Sequence, residues 1–160
     1  MAEAVAVLGL VSSILQIAEF SCKVARQFKE LQSSQSGAPK CFQDVQMQLD
    51  LVAVTLRGVA EQIENDSFEA GNQALRGMVE SCRSDIEKLS DIIRAASSGG
   101  GAFGVKIVKA MSIIRRKGDV EGLKDSLQSK IALLEFYQVT RSSRGTRQTP
   151  ARGKVLTYTL

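Results

Sequence analysis

Apolar residues recur along the chain at alternating spacings of three and four, the signature of helices with one buried side. From the amino terminus the run is Val7, Leu10, Ile14, Ile17, Ser21, Val24, Phe28 and Leu31, interrupted only by Ser21. A second stripe, Ala4, Leu8, Val11, Leu15, Ala18, Cys22 and Ala25, lies beside it. Together they make an apolar arc wider than a two-helix seam requires, which predicts a long first helix at the centre of the molecule. Its polar residues, Gln16, Glu19, Lys23, Arg26 and Lys29, fall almost wholly in its second half.

Residues 32–40, with three serines, Gly37 and Pro39, read as a loop, and Pro39 suits the first turn of a following helix. That helix carries Phe42, Val45, Leu49, Val52, Leu56, Val59 and Ile63 on its apolar side, with Asp44, Gln48, Arg57, Glu61 and Gln62 opposite. A break at residues 65–72, where Asp66 and Glu69 have capping-box spacing, precedes a third helix reaching about Ala96. Its stripe is Leu75, Met78, Cys82, Ile86, Leu89, Ile93 and Ala96. The glycines at 99–101 end it, because consecutive glycines lose too much backbone entropy to stay helical. A short basic helix is expected over residues 103–116 on Phe103, Ile107, Met111 and Ile114, closed by a turn at residues 117–119. Asp119 then caps a last helix carrying Val120, Leu123, Leu127, Ile131 and Leu134.

Each stripe must be covered by another helix, so the fold class is all-α. The expected form is a four- to five-helix bundle with a long, largely buried first helix. The bundle is assigned to residues 3–138, and residues 139–160, where the periodicity lapses, to a basic, disordered tail. Composition agrees with one compact core: 160 residues, 44% hydrophobic, 24% charged and only two prolines. The net charge of +4 is a property of the tail, since residues 1–138 hold 16 Lys and Arg against 17 Asp and Glu. A nucleic-acid module is not indicated by that body, and Tyr137 and Tyr158 make no stacking platform.

The chain has no histidine, which removes the side chain most used for proton transfer near neutral pH and the commonest zinc ligand. Cys22, Cys41 and Cys82 form no CxxC pair and read as core fillers, not as a metal site or a disulfide framework. Gly99, Gly101 and Gly104 satisfy GxGxxG but follow a helix instead of a strand, so they read as a linker. Acidic pairs such as Glu61 with Glu64 and Asp85 with Glu87 read as solvated helix faces. No enzymatic activity, cofactor, metal or small-molecule substrate is expected.

Residues 4–18 carry no charge, and 11 of these 15 are apolar. As a helix they span about 22 Å, short of the roughly 30 Å of a bilayer core, so an ordinary transmembrane anchor is not predicted. Glu3 also departs from the positive start of a secretory signal. If this segment leaves the bundle, its first half has little polar surface, and a membrane or a partner helix must receive it. Val5, Leu8, Gly9, Val11 and Leu15 are therefore candidate membrane-inserting residues. Lys106, Lys109, Arg115, Arg116 and Lys117, a run without an acid, are candidates for contact with anionic lipid, worth about 1 kcal/mol per basic residue near the surface.

The succession AVLGLVSSILQIAEF, CFQDVQMQLDLVAVTLRGV, ALRGMVESCRSDIEKLSDII, a glycine loop, a basic helix and LKDSLQSKIALLEFYQ resembles the N-terminal SesA-type domain of fungal STAND NTPases. These domains are relatives of the HeLo and HeLo-like death-effector domains. The resemblance covers about residues 3–138. It implies a helical effector domain placed ahead of a nucleotide-binding oligomerisation module, acting in incompatibility or immune-type regulated cell death. It also implies release of the first helix, here residues 4–18, to permeabilise a membrane. No NTPase module and no Asn/Gly-rich amyloid-type repeat stands within these 160 residues. The expected partners are further copies of the chain or a STAND-type receptor, and anionic membrane under activating conditions. The expected location is the cytoplasm, with recruitment to the inner face of the plasma membrane. In the alternative, a helical adaptor without membrane insertion, Leu8, Val11 and Leu15 stay buried throughout.

Overall fold

A computed structural model of the chain describes residues 2–34, 40–65, 73–97 and 116–145. Among these the secondary structure is helical throughout: α1 (Ala2–Ser34), α2 (Lys40–Asn65), α3 (Gln73–Ser97) and α4 (Lys117–Gly145). The capping-box pair at 66 and 69, the glycine motif, the basic helix expected over 103–116 and the last fifteen residues lie outside the described set, apart from Arg116, which stands in the turn before α4.

The stripes legible in the sequence face inward. Leu10, Ile14, Ile17, Ser21, Val24, Phe28 and Leu31 of α1 are all buried, as are the seven apolar residues singled out in α2 and six of the seven in α3. They form one core with Val120, Leu127, Ile131 and Leu134 of α4. Ser21 tolerates this place because its hydroxyl donates to the Leu49 carbonyl at 2.7 Å, so no polar group is left unpaired. Two turns on, the rings of Phe28 and Phe42 meet edge to face with centroids 5.4 Å apart.

These pairings also set the directions of the helices. Residue numbers rise along α1 as they fall along α2, so the two are antiparallel. Arg76 reaches the Ala6 carbonyl at 3.5 Å, and Leu31 shares a groove with Ile93, so α1 and α3 are parallel. Gln62 donates to the Gln138 carbonyl at 3.2 Å, while Cys41 near the start of α2 feels Glu121 and Lys117, so α2 and α4 are parallel. The circuit of neighbours runs α1, α2, α4, α3 and back to α1, so α2 and α3, consecutive in sequence, occupy diagonal corners. At the α2–α4 crossing a Cβ on Gly58 would lie 2.7 Å from Nε2 of Gln138, so a side chain there would push that amide off the Thr55 carbonyl to which it donates.

Three local expectations are revised. In a square of four helices α1 is a corner and not the centre, so its second stripe is covered only in part. Lys117, Gly118 and Asp119 are the first turn of α4, with Val120 N–H donating to the Arg116 carbonyl at 3.0 Å, so Asp119 is an acid in the first turn instead of a cap. Finally, α4 continues through residues 139–145, which the lapse of apolar periodicity had assigned to the tail. No proline or glycine intervenes before Gly145, and Thr140 bonds back to the carbonyls of Phe136 and Tyr137 at 3.0 and 2.9 Å. A helix therefore continues there although the sequence offers no apolar stripe.

Candidate functional site

With about 100° between successive residues, positions 8 and 15 lie almost in line on α1, while position 11 is turned back toward the core. Val5, Leu8 and Leu15 are accordingly 69%, 66% and 38% exposed, whereas Val11 is 4% exposed. Gly9 is exposed, with open space where a Cβ would stand. Four of the five candidate insertion residues thus share the outer side of α1, and Val11 belongs to the core. The exposure of Leu8 and Leu15 also removes the premise of the adaptor alternative that all three stay buried.

By length and composition alone α1 is long and apolar enough to cross a membrane, its most apolar stretch within Ala4–Ser33 having a mean hydropathy of 1.8. The buried core helix of a soluble protein has the same make-up, but only 33% of that stretch is buried. The sequence estimate of 22 Å applied to the uncharged residues alone, and the helix runs well beyond them.

The basic candidates are placed differently from what a combined site requires. Lys106, Lys109 and Arg115 lie outside the described residues, while Arg116 and Lys117 are exposed at the start of α4, Lys117 with its Nζ 3.7 Å from Glu121. That end of the bundle holds the start of α2 and, across the Phe28–Phe42 contact, the end of α1. Leu8 lies 20 residues up α1 from Phe28, roughly 30 Å along the axis. Arg116 and Lys117 therefore do not stand beside the exposed strip of α1. At the strip's own end the helix directions bring Arg76 of α3, bonded to the Ala6 carbonyl, and the last turns of α4 with Arg141, whose guanidinium lies 6.0 Å from the Tyr137 ring centre. Glu61 and Glu64 of α2 stand at the same end. Arg76 did not stand out in the sequence and Arg141 did so only as part of the basic tail, because the role of each at this end depends on helix direction.

A second feature missed by pattern is Asp85. It is buried, not solvated: its carboxylate accepts from the Lys130 ammonium and, at 2.7 Å, from the Ser126 hydroxyl, while Lys130 also donates to the Ser81 carbonyl at 3.1 Å. This cluster joins α3 to α4. The cysteines are free, with Cys41 and Cys82 buried and Cys22 half-buried, its sulfur 3.6 Å from the Arg57 guanidinium. Among the described residues, no three Cys, Asp or Glu converge as metal ligands.

The SesA family, an N-terminal domain on NACHT NTPases and P-loop NTPases, matches the chain over residues 11–134. No curated protein and no solved structure matches it significantly. The matched span begins at Val11, after the most exposed part of the α1 strip, and ends at Leu134, the last buried leucine of α4. It takes in every buried core residue except Leu10, and by that span the chain belongs to the SesA family of N-terminal domains.

Proposed function

We propose that this chain is a non-catalytic effector module that, when gathered by a STAND-type NTPase or by its own copies, meets the inner membrane surface with the amino-terminal end of α1. This is the regulated cell death or incompatibility role that the HeLo-type resemblance implies. The observation carrying it is the exposure of Val5, Leu8 and Leu15 on a segment without charge between residues 4 and 18. Large apolar side chains on one helix face are costly in water and marked for lipid or another protein.

The geometry recommends a modified form of the mechanism. Ile14, Val24 and Phe28 are fully buried, so the carboxyl-terminal two-thirds of α1 is held in the core. The first turns reach lipid as the bundle stands, end-on, with Arg76 and Arg141 as the nearby positive charge. Arg116 and Lys117 form a separate basic pair at the other end.

The test is leakage and co-sedimentation of the intact chain with anionic vesicles, comparing wild type with Val5→Glu plus Leu8→Glu and with a control, Met47→Glu, at another exposed apolar residue. Both variants should keep wild-type helicity. Loss of at least about tenfold in vesicle binding and leakage is expected for the α1 pair alone. Unchanged leakage by that pair overturns the membrane reading. Leakage lost equally in both variants assigns the effect to general apolar exposure, which overturns it too.

A further inference from the structure

α2 fills the core with one side and leaves three large apolar residues on the other: Met47, Leu51 and Val54 are 54%, 48% and 65% exposed. At about 100° per residue, Met47 and Val54 lie nearly in line, with Leu51 along one edge of that line and Asp50 and Arg57 along the opposite edge. Both charged residues are exposed. Among the described residues neither forms an ion pair, and the Arg57 guanidinium has the Cys22 sulfur as its neighbour at 3.6 Å. Large apolar side chains gathered on one helix face are costly in water and mark a place of association. Anionic lipid is an unsuitable cover, because Asp50 and Glu61 stand beside the strip. The order along the charged edge, an acid and two turns later a base, asks instead for the same order reversed.

A second copy supplies that reversal. We infer that the outer face of α2 is a self-association surface, on which two copies of this chain pair antiparallel about a two-fold axis crossing each helix between residues 53 and 54. Such an axis reverses the helix direction and keeps like edges together, so the charged edge lies on its own counterpart. Val54 then packs beside Val54 of the partner subunit, and Leu51 lies against Val54 and the small Gly58 of the partner subunit. Asp50 of each copy meets Arg57 of the other, twice by symmetry. The same axis sets Glu61 opposite Gln46 of the partner subunit and Glu64 opposite Gln43 of the partner subunit, so no like charges confront one another along the two helices. The exposed ion pairs fix the register more than they add affinity. A single pair of helices covers less than the roughly 1,200 Å² of a stable interface, so the pairing is weak in free solution. Copies held together by a shared scaffold reach effective concentrations of about a millimolar, where such a pair forms. The inference does not depend on membrane contact, and at the dilution of a vesicle assay the chain is monomeric, so the two readings fail independently.

The axis demands that residue 50 of one copy face residue 57 of the other, and charge reversal tests that demand. Sedimentation equilibrium of the intact chain between about 10 µM and about 1 mM should show wild type passing from monomer toward dimer. Asp50→Arg leaves only arginines on the charged edge and Arg57→Asp only aspartates, so each variant repels its own copy and should associate at least about tenfold more weakly. An equimolar mixture of the two should form the mixed dimer, because both cross-pairs are again of opposite charge. The double variant, Asp50→Arg plus Arg57→Asp in one chain, should regain wild-type association. Since both positions are exposed, all four proteins should give the same circular dichroism. Wild type that remains monomeric at about 1 mM overturns the proposal, whether the strip then meets lipid or a different protein. So do single variants that dimerise like wild type, or a mixture and double variant that both stay monomeric.

Discussion

A thiol withheld from water resists ionisation, and Cys82 is such a thiol. Burial, the largest cause, pushes its pKa up from 9.0 to about 11, with Lys130 pulling it down and Asp85 pushing it up as smaller effects. The unfolded chain ionises this group near pH 9 and the folded chain only near 11. The native state is therefore fully favoured below pH 9, and the advantage is lost as the pH rises toward 11, an effect of about 2–3 kcal/mol. Urea denaturation at pH 8, 10 and 11 should show a steeper fall in wild type than in Cys82→Ala, whatever the variant's lower starting stability. The place of Cys82 was legible, since it stands in the apolar stripe of α3. Asp85, three residues later, was not: a lone carboxylate reads as exposed, and what makes its burial tolerable is a lysine 45 positions away on another helix. Ser21 shows the same limit, its position on the stripe being readable and its carbonyl partner not.

At the level of single helices the sequence was most informative, because a buried stripe requires only local spacing. It was least informative where a helix has two apolar sides. The stripes of α1 looked alike, yet Ile14 is wholly buried and Leu8 is 66% exposed, a distinction set by which sides the neighbouring helices occupy. Ile14→Ala should cost roughly 2–5 kcal/mol by thermal or chemical unfolding. Leu8→Ala should stay within about 0.5 kcal/mol of wild type. Comparable losses at both positions would mean that α1 is covered on its outer side after all. The end of α4 was misplaced for a related reason: Val139 and Thr140 are exposed and no apolar period marks residues 139–145, although nothing in their chemistry stops a helix before Gly145.

Across the whole molecule, the identity of the neighbours was beyond the reach of pattern. Four stripes predict a bundle, but not that α2 and α3 stand diagonally, nor that the strip on α1 and Arg116 with Lys117 are at opposite ends. Those facts separate a combined lipid site into two regions. The same arrangement leaves α3 bound to the rest through α1 on one side and α4 on the other, with the Asp85–Lys130–Ser126 cluster in the second seam. Lys130→Met should destabilise the bundle by about 3–5 kcal/mol, since it leaves a buried carboxylate without its cation. Adding Asp85→Leu should recover much of that loss, and because one core spans all four helices the unfolding should remain a single transition.

α4 passes without interruption from the last leucine of the matched domain to Gly145. Anything joined there as continuing helix is coupled to the bundle as by an axle, not a hinge. One residue inserted between 141 and 145 would rotate that attachment by about 100° and advance it by about 1.5 Å, so its angular phase relative to the bundle is written into the length of a single helix.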